Sequence, residues 1–331
     1  MELFTRLRVM LSEFEASILH LQVFGSTHAS SAGTEALRRV FGRIDWPVTW
    51  VEGAACDHQP IAGLQALAAT GVQVQRITLG RQVVGSAFAD GSTRHCLVGG
   101  LGPARKSLSR PGQTSQTLDH LEHALEQAGF TLADTVRTWF FLDDLLSWYS
   151  QFNQVRTQRY GRVSFHSGSI PASTGVAGRN PAGAALAVAA WAIQPGDAST
   201  GIEEVASPLQ CPAPTYGSSF SRAMEISSPA GRRLLISGTA SIALEGQTIW
   251  KDNVPKQVAL TMQVVTAILR SRGFDLSDVT RATAYFKHRR DVRAFRDWCA
   301  AHRAPSLPVV EAECDICRDD LLFELEADAW R

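Results

Sequence analysis

The feature that most constrains the fold of this chain is an internal duplication. Residues 94–102 and 232–240 are apolar runs that each end in a glycine-containing turn. A Gly-Phe pair follows in each copy, at 129–130 and 273–274, which is 35 residues (94 to 129) or 41 residues (232 to 273) after the start of the run. Another apolar run comes next in both copies. A chain that repeats a unit of this size is expected to build its core from repeated modules.

The order of patterns within each copy predicts an α/β fold. Apolar residues at helical spacing precede each Gly-Phe pair, so Gly129 and Gly273 are expected to end helices. A second amphipathic helix follows the next apolar run, and each copy closes with a proline and a strand pattern, at 171–193 and 308–330. The order strand, helix, strand, helix, strand predicts mixed sheets that are covered by helices on one face.

Three modules are predicted along the chain. Residues 195–208 contain two prolines and two glycines and are the expected linker between the copies. The first copy is assigned to residues 81–196 and the second to residues 208–331. Residues 1–80 are predicted to form a degenerate third module, so that one chain imitates a trimer of modules.

The elements expected in this N-terminal module follow from its apolar patterns. They are strands near 18–24 and 48–52, a helix at 34–41 and further helix near 61–69.

Composition indicates a packed globular protein and excludes some classes of partner. Hydrophobic residues make up 45% of the chain, and 32 basic residues balance 32 acidic ones, so nucleic acid and anionic membranes are not expected partners. The most apolar stretch, 182–193, is shorter than the roughly 20 residues that span a bilayer. Glu2, Glu13 and Glu15 argue against a secretion signal, and six cysteines fit reduced, mostly buried thiols. A cytoplasmic location is therefore expected.

Four motifs of the second copy carry a family resemblance. They are 213–223 with its Tyr-Gly-Ser-Ser-Phe-Ser-Arg core, Ile236-Ser-Gly-Thr239, the Gly-Phe-Asp-Leu-Ser-Asp-Val element at 273–279, and Leu322-Phe-Glu-Leu-Glu-Ala327. In this order they resemble the RidA (YjgF) family, whose small α/β modules associate as trimers with clefts between neighbours. RidA deaminases hold a carboxylate with an arginine that is replaced by Leu307 here and by Ser173 in the first copy. Deaminase activity is therefore not expected.

Further motifs extend the resemblance to about residue 45. They are Trp139-Phe-Phe-Leu-Asp143, Trp148-Tyr149, Phe152-Asn-Gln-Val-Arg-Thr157, the 171–181 loop with Gly183-Ala-Ala-Leu186, and Tyr216-Gly-Ser-Ser-Phe-Ser-Arg222. Together they resemble the chorismatases, which carry RidA-like modules and cleave chorismate. The resemblance implies a small-molecule substrate, chorismate, and no cofactor or metal.

The chemistry of chorismate sets what a site would need. Releasing pyruvate requires a proton on the vinyl methylene carbon, which creates an oxocarbenium-like centre, and it requires both substrate carboxylates to be held still. A carboxylic acid of raised pKa that faces a dicarboxylate held by arginines would meet both needs.

Glu324 is the candidate acid. Phe323 and Leu325 flank it in an alternating strand, and burial would favour its neutral form. Glu326 lies on the same face of that strand. The alternative is an ordinary solvated strand face, but by resemblance Glu324 is the position of the family's functional glutamate.

Arg222 and Arg156 are the candidate carboxylate clamps, because a guanidinium can donate two parallel hydrogen bonds to a carboxylate. Arg222 lies in the motif that resembles the family's substrate-facing strand, where Tyr216 could add a hydroxyl. Arg156 follows Phe152 by four residues, near the packed face of a helix. The alternative for either is an ordinary surface arginine, and Arg159, Arg162 and Arg179 cannot be ranked against them.

Two further residues bear on the product. By resemblance, Cys317 matches the hydroxybenzoate-forming chorismatases, whereas Ala240 matches those that hydrolyse chorismate to a diol. A mixed pattern fits the subgroup that makes 3-hydroxybenzoate with 4-hydroxybenzoate. Cys314 and Cys317 have the spacing of a redox or zinc pair, but residues three apart on a strand face opposite sides, and no second pair is present.

Hydroxybenzoate and pyruvate formation is the function expected first. Hydrolysis of chorismate to 3,4-dihydroxycyclohexa-1,5-diene carboxylate and non-catalytic binding of a small carboxylate remain open. The chain is expected to be a monomer with a pseudo-trimeric core or a small homo-oligomer. The Cys56-Asp-His58 segment is predicted to be an ordinary loop, and His120 and His123 to be exposed helix residues.

Overall fold

The computed structural model describes residues 1–57 and 59–331, and these residues form three β-sheets and six α-helices. His58 of the Cys56-Asp-His58 segment lies outside the described residues. No helix in the described parts of the chain is both long enough and apolar enough to span a membrane.

The N-terminal unit is built around one small sheet. Its elements are α1 (Glu2–Glu13), β1 (Ala16–Gly25), α2 (Ser30–Phe41), β2 (Val48–Val51), β3 (Ala54–Ala55) and β4 (Ile61–Thr70). β1 is the central strand, with β2 parallel on one side and β4 antiparallel on the other. Phe4 of α1 and Leu37 of α2 pack in one apolar cluster with Leu21 of β1.

The helix expected near residues 61–69 is wrong, because these residues form β4. Their Ala, Leu and Gln content favours a helix locally. Pairing with β1, from Gly25 opposite Ile61 to Ala16 opposite Thr70, overrides that weak preference. The other three predicted elements of this unit correspond to β1, α2 and β2.

The two copies have the same topology. The first contains β5 (Gln75–Leu79), β6 (Gln82–Asp90), β7 (Thr93–Leu101), α3 (Arg110–Glu126), β8 (Thr135–Leu142), α4 (Tyr149–Tyr160), β9 (Ala172–Ala177) and β10 (Leu186–Gln194). The second contains β11 (Gly201–Val205), β12 (Ala223–Ser228), β13 (Gly231–Ala240), α5 (Val254–Ser271), β14 (Val279–Phe286), α6 (Val292–Ala301), β15 (Val309–Glu313) and β16 (Phe323–Trp330).

The sheet orders are β5-β6-β7-β10-β8-β9 and β11-β12-β13-β16-β14-β15, the second extended by β3. The β8–β9 and β14–β15 pairs are parallel, and the others within these sheets are antiparallel. This confirms the duplicated α/β fold.

Local chemistry is duplicated as well. Gly129 and Gly273 both have positive φ just after a helix, a conformation that favours glycine. Gln113 of α3 and Gln257 of α5 occupy matching positions. The side-chain oxygen of Gln113 accepts from the backbone of Ala185, and that of Gln257 accepts from the backbone of Leu322. In each copy the first long helix thus fixes the start of the last strand.

The sheets extend beyond the predicted module boundaries. β5 precedes residue 81, and β11 lies inside the predicted linker at 195–208. Both are edge strands of five residues, which is too short for a clear alternating pattern. The closing pattern of each copy also divides into two strands, β9 with β10 and β15 with β16.

The three sheets share a central core. On one face, each module sheet packs against its own helices. On the other face, side chains of all three sheets meet, including Phe24 of β1, Trp139 and Phe141 of β8, and Leu235 and Tyr285 of the second module. One chain therefore has the arrangement of a pseudo-trimer, with clefts where the modules adjoin.

Candidate active site

A cleft of about 700 Å³ lies between the first and second modules. Helix α4 provides one wall, with Tyr149, Asn153 and Thr157 on successive turns. The second module provides the rest, from the 3-10 turn at Ala213–Tyr216, from β13 and β16, and from the loop at 314–322. Arg222 and Glu324 open onto this one cleft, as a site between modules requires.

Glu324 presents an unpaired carboxyl group to the cleft. Its side chain is 4% exposed and has no hydrogen bond or ion pair with any described residue. Burial, with the charge of Glu326, raises the pKa of Glu324 to about 8, while Arg137 and Arg222 oppose the shift. The carboxyl group is therefore largely protonated at neutral pH and can donate a proton.

The space for this carboxyl group is provided by Gly238 on the neighbouring strand. A Cβ atom at Gly238 would lie 2.1 Å from Oε1 of Glu324 and 2.9 Å from its Cδ. Any larger residue at this position would push the acid out of place.

Glu326 lies two residues further along β16 and, unlike Glu324, is surrounded by hydrogen-bond donors and cations. Its Oε2 accepts from Arg137 at 2.7 Å and from Trp139 at 3.0 Å, and its Oε1 accepts from Arg281 at 2.7 Å and from Thr283 at 3.0 Å. These charges and hydrogen bonds lower the pKa of Glu326 despite its complete burial. Glu326 is therefore an ionised structural link between the modules, and Glu324 remains the candidate acid.

The duplication did not reproduce these carboxyl groups. Tyr285 of β14 pairs with Glu324, and Phe141, at the matching place in β8, pairs with Ala187. Ala189 likewise takes the place of Glu326 in the first copy. The acid is thus specific to the second module.

Arg222 lies where a carboxylate clamp is expected. It is 3% exposed, and its Nε and Nη2 donate to the carbonyl oxygen of Cys211 at 3.0 and 2.8 Å. Its Nη1 has no partner among the described residues. Tyr216 packs 5.4 Å from the guanidinium carbon and also lines the cleft, and burial raises the pKa of its hydroxyl to about 12. One donor of Arg222 is therefore free for a substrate.

Arg156, the other expected clamp, lies behind the wall of the cleft. It is 1% exposed and packs over the rings of Phe140 and Phe152. Its Nη2 donates to Oδ1 of Asn153 at 2.7 Å, and Asn153 itself lines the cleft. Its Nε is buried without a partner among the described residues. In this arrangement Arg156 orients Asn153 and adds positive charge behind it.

Sequence reasoning missed Arg318, which also lines the cleft. Its Nη1 donates to the carbonyl oxygen of Gly246 at 2.8 Å, and its guanidinium carbon lies 5.2 Å from the ring of Tyr216. The 308–330 pattern predicts a strand, in which residues 317 and 318 would face opposite sides. The segment is a loop, so Cys317 and Arg318 both reach the cleft.

Cys317 and Ala240, the expected product determinants, both line this cleft. Burial and the charge of Glu324 raise the pKa of Cys317 to about 12, so its thiol is neutral. Cys314 packs instead in the central core, and both cysteines are free thiols. Despite their spacing, these two cysteines therefore do not form a redox or zinc pair.

The remaining candidates lie elsewhere. Arg159 pairs with Asp119 and Glu122 on the surface, and Arg179 pairs with Glu52. Nδ1 of His120 lies 2.8 Å from the carbonyl oxygen of Gly102. Among the described residues, no three side chains are placed to bind a metal ion together.

Comparison with known proteins identifies the family of this chain. The family described as Endoribonuclease L-PSP matches residues 212–330. A RutC family protein of Pyrococcus horikoshii is 30% identical over 103 residues, which are 31% of this chain and 82% of that protein. The chain therefore belongs to the RutC family of proteins.

Within that family, the whole chain is similar to chorismatases. A 3-hydroxybenzoate synthase of Streptomyces hygroscopicus is 26% identical and a chorismatase of the same organism is 29% identical. The alignments cover 61% and 57% of this chain and 64% and 60% of those enzymes, which is less than two thirds of their length. A chorismatase crystal structure superposes with a TM-score of 0.69 at 21% identity, covering 95% of this chain and 93% of that one. By homology and fold, the protein is chorismatase-like.

Proposed function

We propose that this protein is a chorismatase that converts chorismate to pyruvate and hydroxybenzoate without a cofactor. The observation that carries the proposal is the carboxyl group of Glu324, which is buried, unpaired and largely protonated at neutral pH, and which faces a cleft that also contains Arg222 and Arg318. A proton donor and cations in one cleft match the needs of an enolpyruvyl ether that carries carboxylates.

The arginines would hold the substrate. Nη1 of Arg222 is free to donate to one carboxylate, and Arg318, which also lies close to the ring of Tyr216, adds a second cation to the cleft. Asn153, oriented by Arg156, would donate through its amide. Such fixed donors restrict the orientation of a bound dicarboxylate and place its ether near one acid.

Glu324 would start the reaction by protonating the vinyl methylene carbon, which becomes the methyl group of pyruvate. The ether carbon and oxygen then share the positive charge, and the bond between that oxygen and the ring carbon breaks, so that the oxygen leaves as the carbonyl of pyruvate. The ring becomes aromatic by losing a proton, which restores the proton that Glu324 gave up. Hydroxybenzoate and pyruvate together contain the atoms of chorismate, so this outcome needs no added water. The diol outcome consumes one water molecule.

Two residues of the cleft support different products. Cys317 supports 3-hydroxybenzoate, with or without 4-hydroxybenzoate, and its neutral thiol can act as a weak hydrogen-bond donor. Ala240 supports the diol-forming hydrolysis, and both residues line the same cleft. We favour hydroxybenzoate because Cys317, unlike Ala240, brings a polar side-chain group into the cleft that Glu324 faces.

The test is incubation of the purified protein with chorismate alone, with products separated by chromatography and detected by ultraviolet absorbance. We expect hydroxybenzoate and pyruvate in equal amounts. A non-aromatic diol with pyruvate would establish the hydrolytic reaction instead. If chorismate raises the melting temperature but no pyruvate forms, the protein binds a small carboxylate without turning it over.

A further inference from the structure

A second cavity, of about 340 Å³, lies where all three sheets meet and away from the cleft of Glu324. The N-terminal unit contributes Leu19 and Leu67, the first module contributes His95 and Trp191, and the second contributes Arg233. Its volume is at the lower end of the range for small-molecule sites. No residue of the proposed reaction lines it.

The cavity holds an unpaired cation. The guanidinium group of Arg233 has no hydrogen bond or salt bridge with any described residue. Its guanidinium carbon lies 4.4 Å from the ring centre of Trp330, its cross-strand partner, and 4.8 Å from that of Trp191. Contact with the two indoles leaves the N–H groups of Arg233 without acceptors. A partly buried arginine in this state is ready to bind an anion.

The polar groups around Arg233 are also unsatisfied. His95 is 9% exposed and Trp191 is 3% exposed, and Nδ1 of His95 and Nε1 of Trp191 have no partner among the described residues. Burial and the charge of Arg233 lower the pKa of His95 to about 4, so the ring is neutral. Unpaired buried polar groups are rare in native proteins, and two of them line this cavity beside the unpaired guanidinium group of Arg233.

Carboxylates near Arg233 determine which kind of anion it can bind. Asp328 and Asp90 act on Arg233 electrostatically without contacting it, and Oδ2 of Asp328 already accepts from Arg281 at 3.1 Å. Asp90 is exposed and lines the cavity. These carboxylates disfavour phosphate or a dicarboxylate, whereas a single carboxylate can still be neutralised by Arg233.

The aromatic walls of this cavity favour a flat, apolar ligand. Phe88 stacks on His95 with ring centres 4.8 Å apart and an interplanar angle of 14°, and both line the cavity with Trp191 and Trp330. Aromatic rings prefer offset-stacked or edge-to-face neighbours, so these walls suit another planar ring. We propose that this cavity is a second ligand site, which binds a small aromatic monocarboxylate through Arg233. The site is independent of the reaction proposed above.

Tryptophan fluorescence can test the site with benzoate as the probe. Trp191 and Trp330 line this cavity, whereas the described lining of the Glu324 cleft contains no tryptophan. We expect saturable quenching by benzoate, with at least roughly tenfold weaker binding of benzamide, acetate and inorganic phosphate. Absence of saturable quenching by benzoate, or equal binding of the neutral benzamide, would overturn the proposal.

Variants of Arg233 test whether benzoate binds in this cavity. Arg233→Gln should weaken benzoate binding roughly tenfold or more, and Arg233→Lys should weaken it less. Arg38→Gln, which removes an exposed arginine of α2, is the matched control and should bind like the wild type. Circular dichroism melting checks the fold of each variant. If a folded Arg233→Gln protein binds benzoate like the wild type, Arg233 is not the anchor and the proposal is wrong. If Arg233→Gln does not fold, the Arg233→Lys protein replaces it in the test. The proposal is then wrong if Arg233→Lys binds both benzoate and benzamide as tightly as the wild type does.

Discussion

Replacing Gly238 by alanine tests the placement of the acid. The added Cβ would lie 2.1 Å from Oε1 of Glu324 and 3.3 Å from Cγ2 of Thr174. Carbon and oxygen atoms without a strong hydrogen bond stay at least about 3.3 Å apart, so the carboxyl group must shift by about 1.2 Å. Gly238 does not have a positive φ, so its backbone can accept alanine.

The shift should affect catalysis more than stability. The displaced atom is the end of a side chain beside an open cleft, so we expect a loss of only about 1 kcal/mol in the free energy of unfolding, the lower end for overpacking. Misplacing a reacting group by about 1 Å can reduce a rate about 100-fold. The rate of pyruvate release from chorismate should therefore fall by about two orders of magnitude in the Gly238→Ala protein.

Gly175→Ala is the matched control. Its Cβ would lie 3.5 Å from the hydroxyl of Tyr149, an ordinary contact in the same region. We expect its activity to stay within about threefold of the wild type, since nothing has to move. The assay couples pyruvate release to lactate dehydrogenase and NADH, with chemical denaturation to measure stability. If Gly238→Ala retains activity within about threefold of the wild type, the assignment of Glu324 as the acid at this position is wrong.

Four further predictions concern the carboxyl groups and the additional arginine. Because Glu324 acts in its protonated form and its pKa is raised to about 8, kcat/KM for pyruvate release should be level below that pH and fall about tenfold per unit above it. A profile that rises through pH 8 would contradict the acid role, and Glu324→Gln should lower kcat by roughly 100-fold to 10,000-fold. Glu326→Gln leaves Arg137 buried without a salt-bridge partner and Arg281 paired with Asp328 alone, so chemical denaturation should show a loss of roughly 3–5 kcal/mol, and an unchanged midpoint would refute the structural role. Arg318→Met should raise KM for chorismate roughly tenfold with kcat little changed, and a loss confined to kcat in steady-state kinetics would show that Arg318 acts in the transition state instead.

The sequence by itself determined the duplicated architecture and was enough to single out the candidate acid. Helix-ending glycines such as Gly129 and Gly273 and alternating apolar strands are local signals, because each follows from backbone conformation or from the period of a strand. Glu324 could be singled out because its neighbours alternate on one strand and its motif resembles a known family. The position of an acid on a strand is a local property, and so it can be predicted from local patterns.

Only the tertiary structure decided which charged side chains meet. Glu324 and Glu326 share a strand face, yet one is an unpaired acid and the other an ionised link, because Arg137 comes from a strand almost two hundred residues away in sequence. Arg156, on helix α4, lies behind the cleft. Arg318 lies within it, although the pattern of its segment predicts a strand. Tertiary structure also decided that β4 is a strand, since pairing with β1 outweighs its local preference for a helix. Burial and long-range pairing depend on how modules pack against each other, and no local pattern contains that information.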